Sequence, residues 1–363
     1  MNLHVKMIAM SIFKNILTKV AALLCCLVFI ISCSKHHSSP DYNADKSNLS
    51  RLIDSLTTVY SAAVEGNKPG NYNTGAKASL KSAIDLATQV KTGNTFTQEA
   101  VNNAYYNLVL AGQQFSTQRI QEVSAEYLVA QWKFDGDATD ATGHHHDGLL
   151  KTGYLGTSAV TAVDGGTLPQ GVADRFGRAN MAYAFKNAAL VDIPYDAALN
   201  PPSFTVSMWV NMTDNSSGSY MLSLNRWNGF KFNLNGTAVP FLTVSASNKS
   251  IYDRDAGAVN VQQSTWTHLA ASYTDGTMKF YMNGALVKTW TNTPGSALTL
   301  ASPVDMAIGN EMPKAFYSLT DSNSPNYFYG ASYFIGSMDD IRFYNTTLTD
   351  AEILSIYTIE KSL

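Results

Sequence analysis

From residue 46 onward the chain repeats apolar side chains every three or four positions. Leu49, Leu52, Ile53, Leu56, Val59, Tyr60 and Ala63 make the first stripe, a spacing that puts them on one face of a helix. The stretch from Gly66 to Gly75 breaks it. Leu80, Ala83, Ile84, Ala87 and Val90 make a second stripe, ended by Gly93. Thr95 and Gln98 read as a capping box for a third helix, whose stripe runs through Val101, Ala104, Tyr105, Leu108, Ala111, Gly112 and Phe115. Three amphipathic helices with short turns predict an all-α three-helix bundle over 46–122.

At Tyr127 the period changes to two. Leu128, Ala130, Trp132 and Phe134 alternate with Val129, Gln131 and Lys133, and Phe204, Val206, Met208 and Val210 alternate with Thr205, Ser207 and Trp209. Each such strand offers one face to a core. Asn283-Gly284 lies between two strand patterns, Met278 to Met282 and Ala285 to Trp290, and predicts a type I′ hairpin. Asp275-Gly276 marks another. The clear helix signal of this half comes at its end, where Thr349 and Glu352 form a capping box ahead of Ile353, Leu354 and Tyr357. The pattern predicts an all-β domain over 127–363.

The first 45 residues fit neither period. Lys6, Lys14 and Lys19 precede an apolar run from Val20 to Ile31, and at about a dozen residues it is too short to span a bilayer. It reads as a secretory signal peptide over 1–32. The closing Ile30-Ile31-Ser32-Cys33 resembles the bacterial lipobox, which implies diacylglycerol on Cys33 after cleavage before it. An ordinary secretory signal with an incidental cysteine is the alternative. Cys25 and Cys26 would leave with the signal, so the mature chain has no disulfide to form. Residues 33–45 are polar and read as a tether between lipid and fold. Ser34-Lys35-His36-His37 lacks the acidic cluster of some surface-exported lipoproteins, so an outer-membrane or cell-surface location is expected with the membrane face open. Loss of three lysines and no acid takes the formal charge from -3 to -6, which argues against nucleic acid as a partner.

Within the helical segment, Gly70-x-Tyr72, Leu80-x-x-Ala83-Ile84-x-x-Ala87 and the Ala104 to Phe115 stretch resemble a small helical module of bacterial surface proteins, the FIVAR-like class. That resemblance implies a spacer or a glycan contact. Across the β half, an ordered series resembles the laminin-G-type branch of the concanavalin A-like sandwich. The series is Trp132-x-Phe134-Asp135, Asp140-x-x-Gly143, Asp174 to Gly177, Phe204 to Trp209, Trp266-x-His268, Tyr281-x-Asn283-Gly284, Ile308-Gly309, Gly336-x-x-Asp339-Asp340 to Tyr344, and Leu348 with Glu352-Ile353. The resemblance implies two curved antiparallel sheets packed face to face in a jelly roll, frequent carbohydrate recognition and frequent calcium.

Asp339, Ile341 and Phe343 alternate onto one face of the last long strand, which would send a carboxylate toward the core. A buried charge requires a cation or many donors. In the family fold the N-terminal hairpin is its neighbour, so Asp135, Asp140, Asp339 and Asp340 are the candidate ligands of a structural Ca²⁺. The alternative pairs Asp340 with Arg342 and leaves Asp135 in a turn. Three consecutive histidines, His144 to His146, cannot all face one ion and lack a completing ligand. His268 reads as a structural histidine beside Trp266.

Glycoside hydrolases of this superfamily need paired carboxylates, and no E-x-D-x-E run occurs. Glu311 is the one glutamate of the β domain away from its ends. No G-x-S-x-G elbow is found either. Sugar binding instead calls for aromatic faces and planar polar groups on loops. Arg226 and Trp227, Tyr252 and Arg254, and Glu311, Tyr317, Tyr327 and Tyr329 supply that mixture and are the candidate ligand residues. The expectation is a non-catalytic, membrane-anchored protein that binds a polysaccharide or glycoconjugate. A protein-binding adhesin or complex subunit with neighbouring envelope proteins as partners stays open, as does a glycoside hydrolase.

Overall fold

The computed structural model describes residues 41–121, 123, 125–216 and 218–361; the signal segment, Cys33 and most of the tether lie outside them. Three helices come first: α1 (Ser47–Ala62), α2 (Ala76–Thr92) and α3 (Gln98–Thr117). Their stripes meet as expected, with Leu49, Ile53, Leu80, Ile84, Val101, Leu108 and Phe115 buried together. One cap differs from expectation. Thr97, not Thr95, caps α3, its hydroxyl accepting from Ala100 N at 3.3 Å. Gln98 becomes the first helical residue, and its side chain accepts from Asp45 N at 2.8 Å. The helix therefore starts beside the entry of α1.

The strands follow as β1 (Leu128–Trp132), β2 (Leu149–Thr152), β3 (Tyr154–Leu155), β4 (Val163–Asp164), β5 (Gln170–Val172), β6 (Ala182–Phe185), β7 (Ala189–Ile193), β8 (Phe204–Asp214), β9 (Tyr220–Leu224), β10 (Phe230–Leu234), β11 (Pro240–Ser245), β12 (Ile251–Asp255), β13 (Thr267–Thr274), β14 (Gly276–Met282), β15 (Ala285–Thr293), β16 (Met306–Ile308) and β17 (Ile335–Tyr344). Helix α4 (Asp350–Glu360) comes last. One sheet runs β15-β14-β13-β8-β17-β6-β5 with β1 also on β17, and the other runs β12-β11-β10-β9-β16-β7-β2. Neighbours in each sheet are antiparallel, and hairpin pairs alternate with pairs of strands distant in sequence, the topology of a jelly-roll sandwich. The inner faces bury Phe204, Phe230 and Phe343 against one another, with ring centroids 4.6 to 5.8 Å apart. Each such ring contributes roughly 1.5–3 kcal/mol by leaving water.

The outer face of β8 departs from the one-sided expectation. Thr205, Ser207 and Trp209 are as buried as Val206 and Met208, because α4 and its approach lie across them. The Thr205 hydroxyl donates to Thr346 O at 2.8 Å, and Trp209 Nε1 donates to Glu360 Oε2 at 2.8 Å. A small second core of Tyr281, Tyr344, Leu348, Ile353 and Ile356 fills this layer. The Asn283-Gly284 hairpin has the type I′ signature, φ 51° and 78°, and a Cβ on Gly284 would sit 2.8 Å from Tyr357, so only glycine fits under α4. The helical module meets the sandwich on the same helix: Gln121 N donates to Ser355 Oγ at 2.8 Å, and Thr358 Oγ1 to Asn73 Oδ1 at 3.3 Å. No helix among the described residues is long and apolar enough to cross a membrane.

A bulge divides β17. Met338 opposes Val210 and Asp339 opposes Trp209, yet Arg342 opposes Ser207, so three steps on β17 match two on β8. Asp340 takes up the extra residue with φ 46°. The break reverses the alternation. Met338, Ile341 and Phe343 face the core, while Asp339 points outward with Trp209 and Arg342. The expected sharing of a core face by Asp339, Ile341 and Phe343 is thereby corrected.

Candidate functional site

Strand β9 ends in two residues with left-handed backbone, Asn225 (φ 55°) and Arg226 (φ 53°), before a short turn over Arg226–Asn228 leads into β10. Asn225 is pinned on both sides of its amide, donating to Ser302 O at 3.0 Å and accepting from Val304 N at 2.8 Å. That turn throws Arg226 sideways into the long connection between β16 and β17. The Arg226 guanidinium is 1% exposed. It donates to Glu311 Oε1 at 3.3 Å, Pro325 O at 3.0 Å and Tyr327 O at 3.2 Å, so one fork holds both ends of the connection. Tyr317 donates its hydroxyl to Glu311 Oε1 at 2.7 Å. Burial pushes the Glu311 carboxyl up, and Arg226 and the Tyr317 hydroxyl pull it back toward the ionised form.

The connection itself begins at Gly309, where φ is 84° and a Cβ would lie 2.3 Å from the Phe185 ring. It closes on itself through Phe334 N to Gly309 O at 2.9 Å and Phe328 N to Ser318 O at 3.0 Å. What it presents outward is aromatic. The Trp227 ring lies 4.3 Å from the Arg226 guanidinium and 6.1 Å from the Tyr329 ring, and Tyr327 stands edge-on to Tyr329 at 5.1 Å. Tyr329 is 60% exposed. Phe328 is buried among Tyr154 and Tyr317, at 5.6 and 5.0 Å, and anchors the exposed rings from beneath.

Arg226, Trp227, Glu311, Tyr317, Tyr327 and Tyr329 thus come together, whereas Tyr252 and Arg254 belong to a different place. They sit on β12, at the edge of the sandwich that faces β15, with Arg254 5.1 Å from the Trp290 ring. The Tyr252 hydroxyl donates to Pro294 O at 2.8 Å. Trp290 and Lys288 were not among the sequence candidates, although Lys288-x-Trp290 has the spacing that puts both on one face of β15.

Of the four carboxylates offered to calcium, Asp339 and Asp340 flank the bulge of β17 and Asp140 lies in the turn after β1. Arg175, between β5 and β6, donates to Asp339 and Asp340, and also to Glu360 O at 2.8 and 3.1 Å. The chain's own guanidinium supplies the positive charge at this bulge. Asp140 is saturated by protein donors, accepting from Gln131 N, Thr142 N and Thr142 Oγ1 at 2.8–3.0 Å and from His146 N at 3.2 Å. Asp135 is near enough to Asp340 that burial and that charge push its carboxyl up. Among the described residues no group of three or more such ligands is disposed to hold a metal. The histidine run serves the turn: His146 O accepts from Trp132 Nε1 at 2.8 Å, and His144 Nδ1 lies 2.9 Å from Val129 O. His268 is fully buried, 2.8 Å from Ser207 Oγ, and burial lowers its pKa to about 3, so it is a neutral structural residue.

Residues 185–354 match the family model described as the concanavalin A-like lectin/glucanases superfamily. No curated protein matches the chain. Among solved structures, domain 4 of AbnA, a GH43 extracellular arabinanase from Geobacillus stearothermophilus in complex with arabinotriose, is 21% identical, over 64% of this chain and 98% of that one, with a TM-score of 0.46. The CBM40 of the Ruminococcus gnavus IT-sialidase bound to α2,3-sialyllactose is 15% identical, over 44% and 84%, with a TM-score of 0.36. A SAP-like pentraxin from Limulus polyphemus is 16% identical, over 43% and 70%, with a TM-score of 0.32.

Proposed function

Starting from a chain whose residues 185–354 match the concanavalin A-like lectin/glucanases family model, we propose that the protein is a non-catalytic glycan-binding protein that meets polysaccharide or glycoconjugate through Trp227, Tyr327 and Tyr329. The carrying observation is the aromatic group itself: Tyr329, largely exposed, has the part-exposed rings of Trp227 at 6.1 Å and Tyr327 at 5.1 Å, held by the Arg226 fork. Sugar C–H faces pack on such rings, and a preformed platform loses little entropy when it binds. Because Arg226 spends its charge on Glu311 and two carbonyls, the platform suits neutral sugars.

Support for a non-catalytic role comes from Glu311. Its side chain is buried and tied to Arg226 and Tyr317, whereas the carboxylates of glycoside hydrolysis flank the scissile bond. Binding independent of calcium fits the Arg175 countercharge at Asp339 and Asp340. Lipid on Cys33 would hold the sandwich at a membrane, with the helical module as spacer. Cys33→Ala is then expected to release the protein from membranes.

The test is affinity electrophoresis of the protein from residue 46 on a panel of neutral polysaccharides, with and without a chelator, and with reducing-sugar release measured in parallel. Retardation without release is expected, unchanged by the chelator. Trp227→Ala and Tyr329→Ala should each weaken retardation by about tenfold, the loss of one stacking contact with its buried area. Sugar release would make the protein an enzyme. Silence on every polymer would turn attention to a protein partner at the same rings.

A further inference from the structure

At the open edge of the sandwich, where β12 of one sheet faces β15 of the other, two cations share one indole. Lys288 Nζ lies 4.6 Å from the Trp290 ring centroid and the Arg254 guanidinium carbon 5.1 Å from it, with Tyr252 a further 5.7 Å from Arg254. The indole is fixed, since Trp290 Nε1 donates to Asp255 O at 2.9 Å. Neither cation has an ion pair among the described residues. The acids beside Arg254 in sequence are engaged elsewhere by strand alternation: Asp253 accepts from Thr243 Oγ1 on β11, and Asp255 accepts from Gly257 N at 2.9 Å. Arg254 gives one hydrogen bond, from Nη1 to Asp253 O at 2.9 Å, and its Nε is buried with no partner.

A buried guanidinium N–H without an acceptor is costly, and among the described residues no carboxylate pairs with Arg254. We propose that Arg254 and Lys288 form a subsite for an anionic group on a polysaccharide, a sulfate ester or a uronic carboxylate. Arg254 would donate to the carboxylate or sulfate oxygens and Lys288 would act as the second point charge. Contact of both cations with the fixed Trp290 ring limits the freedom of the long side chains before ligand arrives. The subsite stands at the sandwich edge and shares no residue with the Trp227, Tyr327 and Tyr329 platform, so it goes beyond the neutral-sugar reading and does not depend on it.

The experiment measures retardation of the same protein in gels containing dextran, dextran sulfate or polygalacturonate at two salt concentrations, with melting temperature recorded for each variant. Retardation by at least one charged polymer is expected, weaker at the higher salt; which polymer acts distinguishes sulfate from carboxylate. Arg254→Gln with Lys288→Gln should weaken it about tenfold or more, the scale of one charge-assisted contact. Lys288→Gln alone, which keeps most of the half-buried stem, should weaken it less while leaving the melting temperature unchanged. Trp227→Ala should leave it intact. No retardation by either charged polymer, or equal retardation of the native protein and the Lys288→Gln and double variants, would overturn the assignment.

Discussion

Glu360 is the last residue of α4 and its side chain is fully buried. Its carboxylate accepts from Trp209 Nε1 at 2.8 Å and Arg342 Nε at 2.7 Å. Burial raises its pKa to about 7 against the pull of Arg342, and burial with the adjacent Asp340 raises Asp339 to about 8. Both groups keep a proton in the fold that the unfolded chain has already released, so their contribution to stability is full below the ordinary carboxylate pKa and is lost as pH rises toward 7 or 8. His268 acts in the other direction. Its pKa of about 3 lies below the ordinary value, so stability falls as pH drops from about 6.5. Glu360→Gln should make the dependence of stability on pH between about 4.5 and 7 less negative, by at most ~1.4 kcal/mol per pH unit. Denaturant titrations of both proteins across that range measure it; parallel curves would show that Glu360 is ionised throughout.

Strand β17 shows what a single extra residue does to an element. By pairing with β6 through Gly336 to Met338 and with β1 through Ile341 to Tyr344, it serves two partners on one edge, and the bulge at Asp340 lies between them. The same bulge gathers Asp339 and Asp340 around Arg175, whose side chain is 4% exposed. Arg175→Met should cost about 3 kcal/mol or more at pH 8, because breaking a buried pair leaves a charge without its partner. At pH 5 the loss should be smaller, since a protonated Asp339 requires less compensation. Chemical denaturation at both pH values decides it, and a loss under 1 kcal/mol at pH 8 would show that the carboxylates find other donors. From sequence, the strand was legible through alternation, and elsewhere in the same sheet the β14–β15 hairpin through Asn283-Gly284. The bulge was not, because a period-two pattern counts residues evenly and Asp340 carries no glycine to announce φ 46°.

At the scale of the molecule there are two main cores, one in the helical bundle and one between the sheets, joined at α4 by contacts such as Gln121 with Ser355. Leu108 is 1% exposed in the first core and absent from the second. Leu108→Ala should destabilise the bundle by about 2–5 kcal/mol and leave the sandwich melting as before, seen in calorimetry as one transition moving and one staying. A shift of both together would mean the contacts across α4 make a single cooperative unit.

The sequence by itself determined the order of the domains, the periods of their elements, the hairpin at Asn283-Gly284 and the capping box at Thr349, because each of these is set by neighbours a few residues apart. It also named the residues of the aromatic platform, since Trp, Tyr and Arg in polar loops are conspicuous without coordinates. Tertiary structure decided which of them meet. Arg226 joins Glu311 across 85 residues, Arg175 reaches Asp339 and Asp340 across more than 160, and Arg254 finds Trp290 rather than Trp227. Such pairings depend on sheet order, on a bulge that reverses alternation and on a terminal helix that buries a second face, none of which leaves a local pattern in the chain.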